Sequence, residues 1–369
     1  MDSAIKKYRD FYALKPNSPI IMSEHGWYSR ERWEREGYLK PGEDMWKLFD
    51  LEENGVHILA HVGYCEAGVE PKFEVKVLED LGKYEIVQDI VGRHVKCFKG
   101  RRDGFMPEYV DHPVKDQRTW EENIKWRMDP ETPVRKQRFD AQVDNVKLQI
   151  SRGKLVSELV PGGYMYLRSI FGPEELLYAF YDMPELIKEC METWFNLADK
   201  VIEYHQQSVD VDELFLDEDI CYNHSSLISH EMIREFLFPY YQQLMTNIKR
   251  RNKDKNRPLH LHLATDGAAF TVIDLYKEVG LTYMSPFEVA SGCDVVKIGK
   301  DYPELLLSGG IDKRILAKGK EAIDRELDRI MPVMYKRGGY IPTCDHGVPE
   351  EVSFENYMYY RERMKDYAK

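Results

Sequence analysis

The run Pro258-Leu-His-Leu-His-Leu-Ala264, followed by Thr265-Asp266-Gly267 and then by Ala268–Val279 (AAFTVIDLYKEV), decides the fold. Leu259, Leu261 and Leu263 alternate with His260 and His262, and side chains two apart on a strand share a face. The leucines therefore cover one face and the histidines the other. Behind Gly267 the period changes to that of an amphipathic helix. This strand-then-helix cadence continues downstream: strand Thr282–Pro286, short helix Asp294–Ile298, strand Glu304–Ser308, helix Gly319–Arg337, strand Tyr340–Thr343 and helix Ser353–Tyr367. Upstream it runs back through helix His230–Arg250 and strand Glu213–Leu216. Before those come helix Pro184–Ser208, with Leu186, Cys190, Trp194, Leu197, Val201 and Tyr204 on one face, helix Pro173–Phe180, and an expected strand Tyr164–Ile170. Consecutive βα units require a parallel sheet, because each crossover returns the chain to the same end.

Working outward to the amino terminus, the cadence stops. From Met1 to about Arg135 the chain is rich in Trp, charge and turn residues, and its apolar periodicity is short. The run Phe73–Gly92 predicts a short helix, a turn at Gly82-Lys83 and a strand Tyr84–Ile90 pairing with Val95–Phe98; a polar helix begins near Thr119. The expected organisation is an N-terminal elaboration over 1–150, packed on the barrel mouth, and a barrel core over 151–369, together one structural domain. The length of 369 residues suits a (β/α)8 barrel with insertions.

Composition narrows the function classes. Acidic residues outnumber basic ones, 64 to 52, for a formal charge of −12, which disfavours a surface that tracks nucleic-acid phosphates. The opening MDSAIKKYRDFYALK has no apolar core of a signal peptide, no stretch reaches the ~20 apolar residues of a membrane span, and six cysteines lack CxxC spacing. A cytoplasmic protein with reduced thiols and no membrane partner is expected. No Rossmann or P-loop fingerprint is present, so no bound nucleotide is expected.

In parallel α/β proteins the site lies at the carboxyl ends of the strands. Four strand ends carry polar groups. Asp217-Glu218-Asp219 and then Tyr222, Asn223 and His224 follow the strand at Glu213; Thr265-Asp266-Gly267 follows the histidine strand; Gly309-Gly310-Ile311-Asp312 and Cys344-Asp345-His346-Gly347 follow the last two. Glu218, Asp219, Asp266, His262 and His346 are candidate catalytic groups, since carboxylates and imidazoles near apolar walls move protons. Tyr222, His260 and Asp312 are candidate substrate contacts. His262, Asp266 and Cys344 form a candidate open zinc site of mixed N, O and S ligands. Each has a plainer reading: core histidines for His260 and His262, helix caps for Asp266 and Asp312, an exposed acidic loop for Asp217–Asp219. Trp27, Tyr28 and Trp33 are candidates to line a pocket for a planar substrate.

The segments DELFLDEDICYNHSSLISHEMIREFLFPYY, HLATDGAAFTVIDLYKEVGLTYMSPFEVASGCDVVKIGKDYPELLLSGGID and RGGYIPTCDHGVPEEVSFENYMYY resemble, in order and spacing, the uroporphyrinogen decarboxylase superfamily. The resemblance implies a (β/α)8 barrel and one of two chemistries: cofactor-free decarboxylation of a tetrapyrrole, or methyl transfer to or from a corrinoid or thiol with catalytic zinc. Against the first, the decarboxylases' Arg-rich RQAGRY segment is replaced here by Glu24–Gly37, EHGWYSRERWEREG, where Arg30, Arg32 and Arg35 do not reproduce it; only His346 matches their last-strand pattern. For the second, Ala264 and Asp266 stand where the zinc methyltransferases carry the His and Cys of His-x-Cys-Gly, leaving Asp266 and the inward-facing His262 for a rearranged site. The expectation drawn is a methyltransferase of O-demethylase type that moves a methyl group from a small methylated substrate, methoxylated aromatics among the candidates, to a corrinoid protein, with zinc as a candidate cofactor and a homodimer as a candidate assembly. A decarboxylase or lyase, or a catalytically silent binding barrel, are the alternatives.

Overall fold

The computed structural model describes residues 3–101 and 107–368. Its strands are β1 (Val56–Leu59), β2 (Lys76–Leu81), β3 (Tyr84–Gln88), β4 (His94–Phe98), β5 (Glu108–Asp111), β6 (Leu155–Pro161), β7 (Glu213–Asp217), β8 (His260–Thr265), β9 (Leu281–Pro286), β10 (Leu306–Ser308) and β11 (Tyr340–Ile341). Seven form one parallel sheet in the order β1-β6-β7-β8-β9-β10-β11, so each later strand adds beside its predecessor; β2 to β5 form an antiparallel meander.

The parity predicted for β8 holds: Leu261 and Leu263 are buried with helix residues such as Tyr241 and Leu244, while His262 stacks on inward-facing neighbours. Inward side chains from both edge strands, Val56 and Ile341, join Leu155, Tyr283 and Leu306 in one apolar cluster, which requires the sheet to curl. Tyr8 and Phe11 of the first helix, Ser3–Tyr12, enter that cluster and plug the amino-terminal end of the curl.

Three sequence expectations change. Tyr164–Ile170, expected as a strand, lies within a helix, Gly163–Phe171; its predecessor β6, Leu155–Pro161, is the strand instead, buried at every residue. A fully buried run has no alternation to read, and Gly162-Gly163 starts the helix that follows. The expected helix after Phe73 is β2, exposed along its whole length, with a register shift between Val77 and Glu79. Finally, β1 lies inside 1–150, the stretch assigned outside the barrel, yet pairs in parallel with β6 from Val56↔Leu155 to Leu59↔Glu158. Its four residues are too short a pattern to stand out. Among the described residues no helix is long and apolar enough to cross a membrane.

Candidate active site

Inward-facing residues of adjacent strands meet in rungs. Glu213 is opposite His260, Phe215 opposite His262, and Asp217 opposite Ala264; His262 is opposite Tyr283 and Ala264 opposite Ser285. His260 begins β8 and lies at the plugged end, with its Nδ1 3.2 Å from Thr282 Oγ1 and its ring 4.9 Å from that of Tyr12. It does not reach the mouth, so the substrate contact expected of it is withdrawn. His262, one rung higher, is sandwiched between Phe215 at 4.3 Å and Tyr283 at 3.6 Å, and its Nε2 is 2.8 Å from Ser285 Oγ.

Above these rungs the mouth brings together Asp266 and His346, 3.3 Å apart. The hydrogen bond to Asp266 raises the His346 pKa above its ordinary value, with burial opposing. His346 Nδ1 also contacts the Asp345 carbonyl, which orients the ring. Asp345 is itself fixed by the backbone N–H groups of Val289, at 2.8 Å, and Lys313, at 3.2 Å. Burial raises the Asp345 pKa, and the Lys313 ammonium stands 3.8 Å away.

The opposite wall comes from the N-terminal segment. Val348 donates its N–H to the Gly26 carbonyl at 2.8 Å and accepts from the N–H of Tyr28 at 2.9 Å, laying residues 25–29 along the loop after β11. Gly347 is required there: a Cβ would stand 2.7 Å from the Tyr28 ring. This strap carries His25 into the mouth. His25 is open to solvent but ringed by protein, and that surrounding first, then the charge of His346, lowers its pKa to about 4. His25, Trp27, Tyr28, Pro286 and His346 wall an open cavity of about 260 Å³.

Of the acidic triplet, only Asp217 stays on the inward face of β7. Burial raises its pKa to about 6, its Oδ2 has no hydrogen-bond partner, and the Cys65 thiol lies beside it. Asp219 sits in the left-handed region, φ +41°, and is engaged by Arg168 at 2.6 Å. Glu218 points outward into the helix layer. It accepts from the Tyr241 hydroxyl at 2.6 Å and the Tyr164 N–H at 3.1 Å, and burial raises its pKa to about 7. Fully buried and engaged by these partners on the helix side of β7, Glu218 does not face the mouth, so the catalytic role expected of it is withdrawn. Asp312 is forked by Arg314 at 2.8 and 2.9 Å, which makes it a local loop anchor rather than a free substrate contact. Tyr222 is exposed on the rim, its carbonyl accepting the Ala268 N–H at 2.8 Å.

Cys344 is fully buried beside Glu24, whose Oε1 accepts its N–H at 3.0 Å; burial first, and then Glu24, push the thiol pKa well above its ordinary value. It does not join His262 and Asp266. Among the described residues no three His, Cys, Asp or Glu side chains converge to hold a metal ion, so the donor set expected for zinc does not fit as arranged. Sequence reasoning missed His25, Ser285 and Lys313. The first lay in a segment read for its arginines and its aromatic rings but not for its histidine, and the others are single residues at or just past strand ends with no spacing to mark them.

The sequence profile of the Uroporphyrinogen decarboxylase (URO-D) family matches residues 163–367. None of the curated proteins matches the chain. Among solved structures, a methyltransferase from Methanosarcina mazei superposes with a TM-score of 0.59 at 13% identity, covering 98% of this chain and 99% of that one. A putative vitamin-B12 independent methionine synthase from Listeria monocytogenes gives 0.32 at 12% identity over 61% and 68% of the two chains. A B12-independent methionine synthase from a Shewanella species gives 0.32 at 11% over 62% and 65%.

Proposed function

This chain belongs to the uroporphyrinogen decarboxylase (URO-D) family, and from that premise we propose that it is a methyltransferase moving a methyl group from a small aryl methyl ether to a corrinoid carried by a separate protein. The observation that carries the reading is the Asp266–His346 pair, whose His346 walls an open, aromatic-lined cavity at the carboxyl ends of the strands. The fold shared end to end with a methyltransferase from Methanosarcina mazei agrees with it. The reading takes the parallel sheet as part of a (β/α)8 barrel that the segment around Ile21 completes, since Ile21 packs with Val56 and Ile341 of the two edge strands.

An ether oxygen leaves poorly until it is protonated. His346, kept charged by Asp266, is the acid that gives its proton to that oxygen as the methyl–oxygen bond breaks. The neutral His25 across the cavity accepts a hydrogen bond without repelling His346. Trp27 and Tyr28 hold the arene by its faces. The partner's corrinoid supplies the nucleophile that takes the methyl group, and an open mouth is what lets two proteins meet over one substrate. No zinc-borne step enters, because the described residues do not assemble its ligands.

The test is methyl-corrinoid formation, followed by absorbance, with a panel of methoxylated arenes and methylamines, run beside carbon dioxide release from porphyrinogens. Transfer from the arenes supports the reading. Carbon dioxide release without methyl transfer overturns it in favour of a decarboxylase, and inactivity in both assays overturns it in favour of a silent barrel.

A further inference from the structure

The rung pattern places three side chains on consecutive levels of neighbouring strands: Glu213 on β7, His262 on β8 and Ser285 on β9. His262 Nε2 is 2.8 Å from Ser285 Oγ, and its Nδ1 is 3.7 Å from Glu213 Oε2. The order is carboxylate, imidazole, hydroxyl, with the carboxylate on one ring nitrogen and the hydroxyl on the other. Glu213 accepts from the Tyr12 hydroxyl and from Ser157 Oγ at 2.7 Å. Burial works against ionisation of Glu213, but His262 and these donors outweigh it and hold its pKa below the usual carboxylate value. An ionised Glu213 favours the His262 tautomer with its proton on Nδ1, which leaves Nε2 to accept from Ser285. Phe215 and Tyr283 clamp the imidazole from both faces and fix its plane. Ser285 stands opposite Ala264, one level above His262 toward the carboxyl end of β9, and the next residue, Pro286, walls the mouth cavity.

We propose that Glu213, His262 and Ser285 form a nucleophilic triad, and that the chain cleaves small carboxylic esters entering through the mouth. Ser285 Oγ attacks the ester carbonyl and gives its proton to His262 Nε2. The carbonyl-to-alkoxy bond breaks, and the same proton passes to the departing alcohol. Water then hydrolyses the acyl-Ser285, its proton taken by His262 and returned to Ser285 Oγ, so acid and alcohol are the only products. The Glu213–His262 separation is longer than a hydrogen bond and of the looser kind that tightens when substrate fills a site. This inference does not rest on methyl transfer and needs neither a methyl donor nor a corrinoid to be tested.

The experiment uses the full chain with p-nitrophenyl acetate. The expected result is a burst of nitrophenolate, an acetyl group mapped to Ser285 by mass spectrometry of the digest, and acylation lowered on the order of 10²-fold or more in Ser285→Ala and His262→Gln. Ser285→Cys retains labelling at position 285, which a merely structural hydroxyl would not require. An acetyl group found only on other residues, or a burst unchanged in Ser285→Ala, overturns the proposal. Should Ser285→Ala fail to fold, the adduct site in the parent protein decides alone: acetyl-Ser285 supports the triad and unmodified Ser285 refutes it.

Discussion

His346 owes its charge to one neighbour. Replacing Asp266 by Asn removes the negative charge from the partner whose hydrogen bond and charge raise the pKa, and leaves burial, which lowers it. A proton NMR titration of His346 in Asp266→Asn should show its midpoint moved downward. Because the folded pKa is raised, the pair's contribution to stability is complete below the unfolded value near 6.5 and fades as pH rises through the folded one. The side chains are 32% and 47% exposed, so that contribution is at most ~1 kcal/mol. Glu218 carries a larger effect. Its folded pKa of about 7 also lies above the unfolded value, so protonation favours the folded state and stability is lost as pH rises through 7. Glu218→Gln should therefore melt above the parent at pH 8, by on the order of 2–3 kcal/mol, with the gap gone at pH 4. A melting difference that does not depend on pH would show that folding does not raise the Glu218 pKa.

At the scale of elements, the connections that shape the mouth rest on caps and glycines. Ser353 caps helix Phe354–Lys365 by accepting the Asn356 N–H at 3.2 Å, and that helix buries Tyr357, Tyr360 and Arg361 behind the loop that holds His346. Ser353→Ala should cost about 1 kcal/mol in urea denaturation. Gly309 has φ +97°, and a Cβ there would stand 1.9 Å from the Pro286 carbonyl oxygen. Gly309→Ala should be markedly less stable than the cap variant and should disturb the Ser285-Pro286 end of β9; a melting temperature equal to the parent's would refute the packing described. Elements with strong periodicity were legible in the sequence: β7 to β11 and the helices between them appear within a few residues of their expected bounds. The misread ones carry no usable period. β6 is buried on both faces, and β2 is exposed on both and reads equally well as helix. The same limit governed the site. Asp266 and His346 are strand-end residues that lie 3.3 Å apart, whereas Glu218 and Asp217 differ by one residue and therefore point to opposite faces. Parity at the end of a strand decides which reaches the mouth, and the turn that follows it hides that parity in sequence.

The whole molecule is organised around a curled sheet with a sealed end and an open one. Tyr8 and Phe11 close the amino-terminal end, and the strap carrying His25 edges the other, so both ends depend on chain segments that precede β1. Phe11→Ala should cost about 3 kcal/mol, because it opens a cavity where side chains from both sheet edges meet. The central claim is that methyl transfer occurs at the mouth with His346 as the acid. It is tested most directly by the pH profile of methyl-corrinoid formation from an aryl methyl ether in the parent protein and in Asp266→Asn. With His346 as the acid, the rate should fall on the order of 10²-fold in the variant and the alkaline limb should move to lower pH as His346 loses its charge sooner. A variant with the parent's rate and the parent's alkaline limb would contradict it.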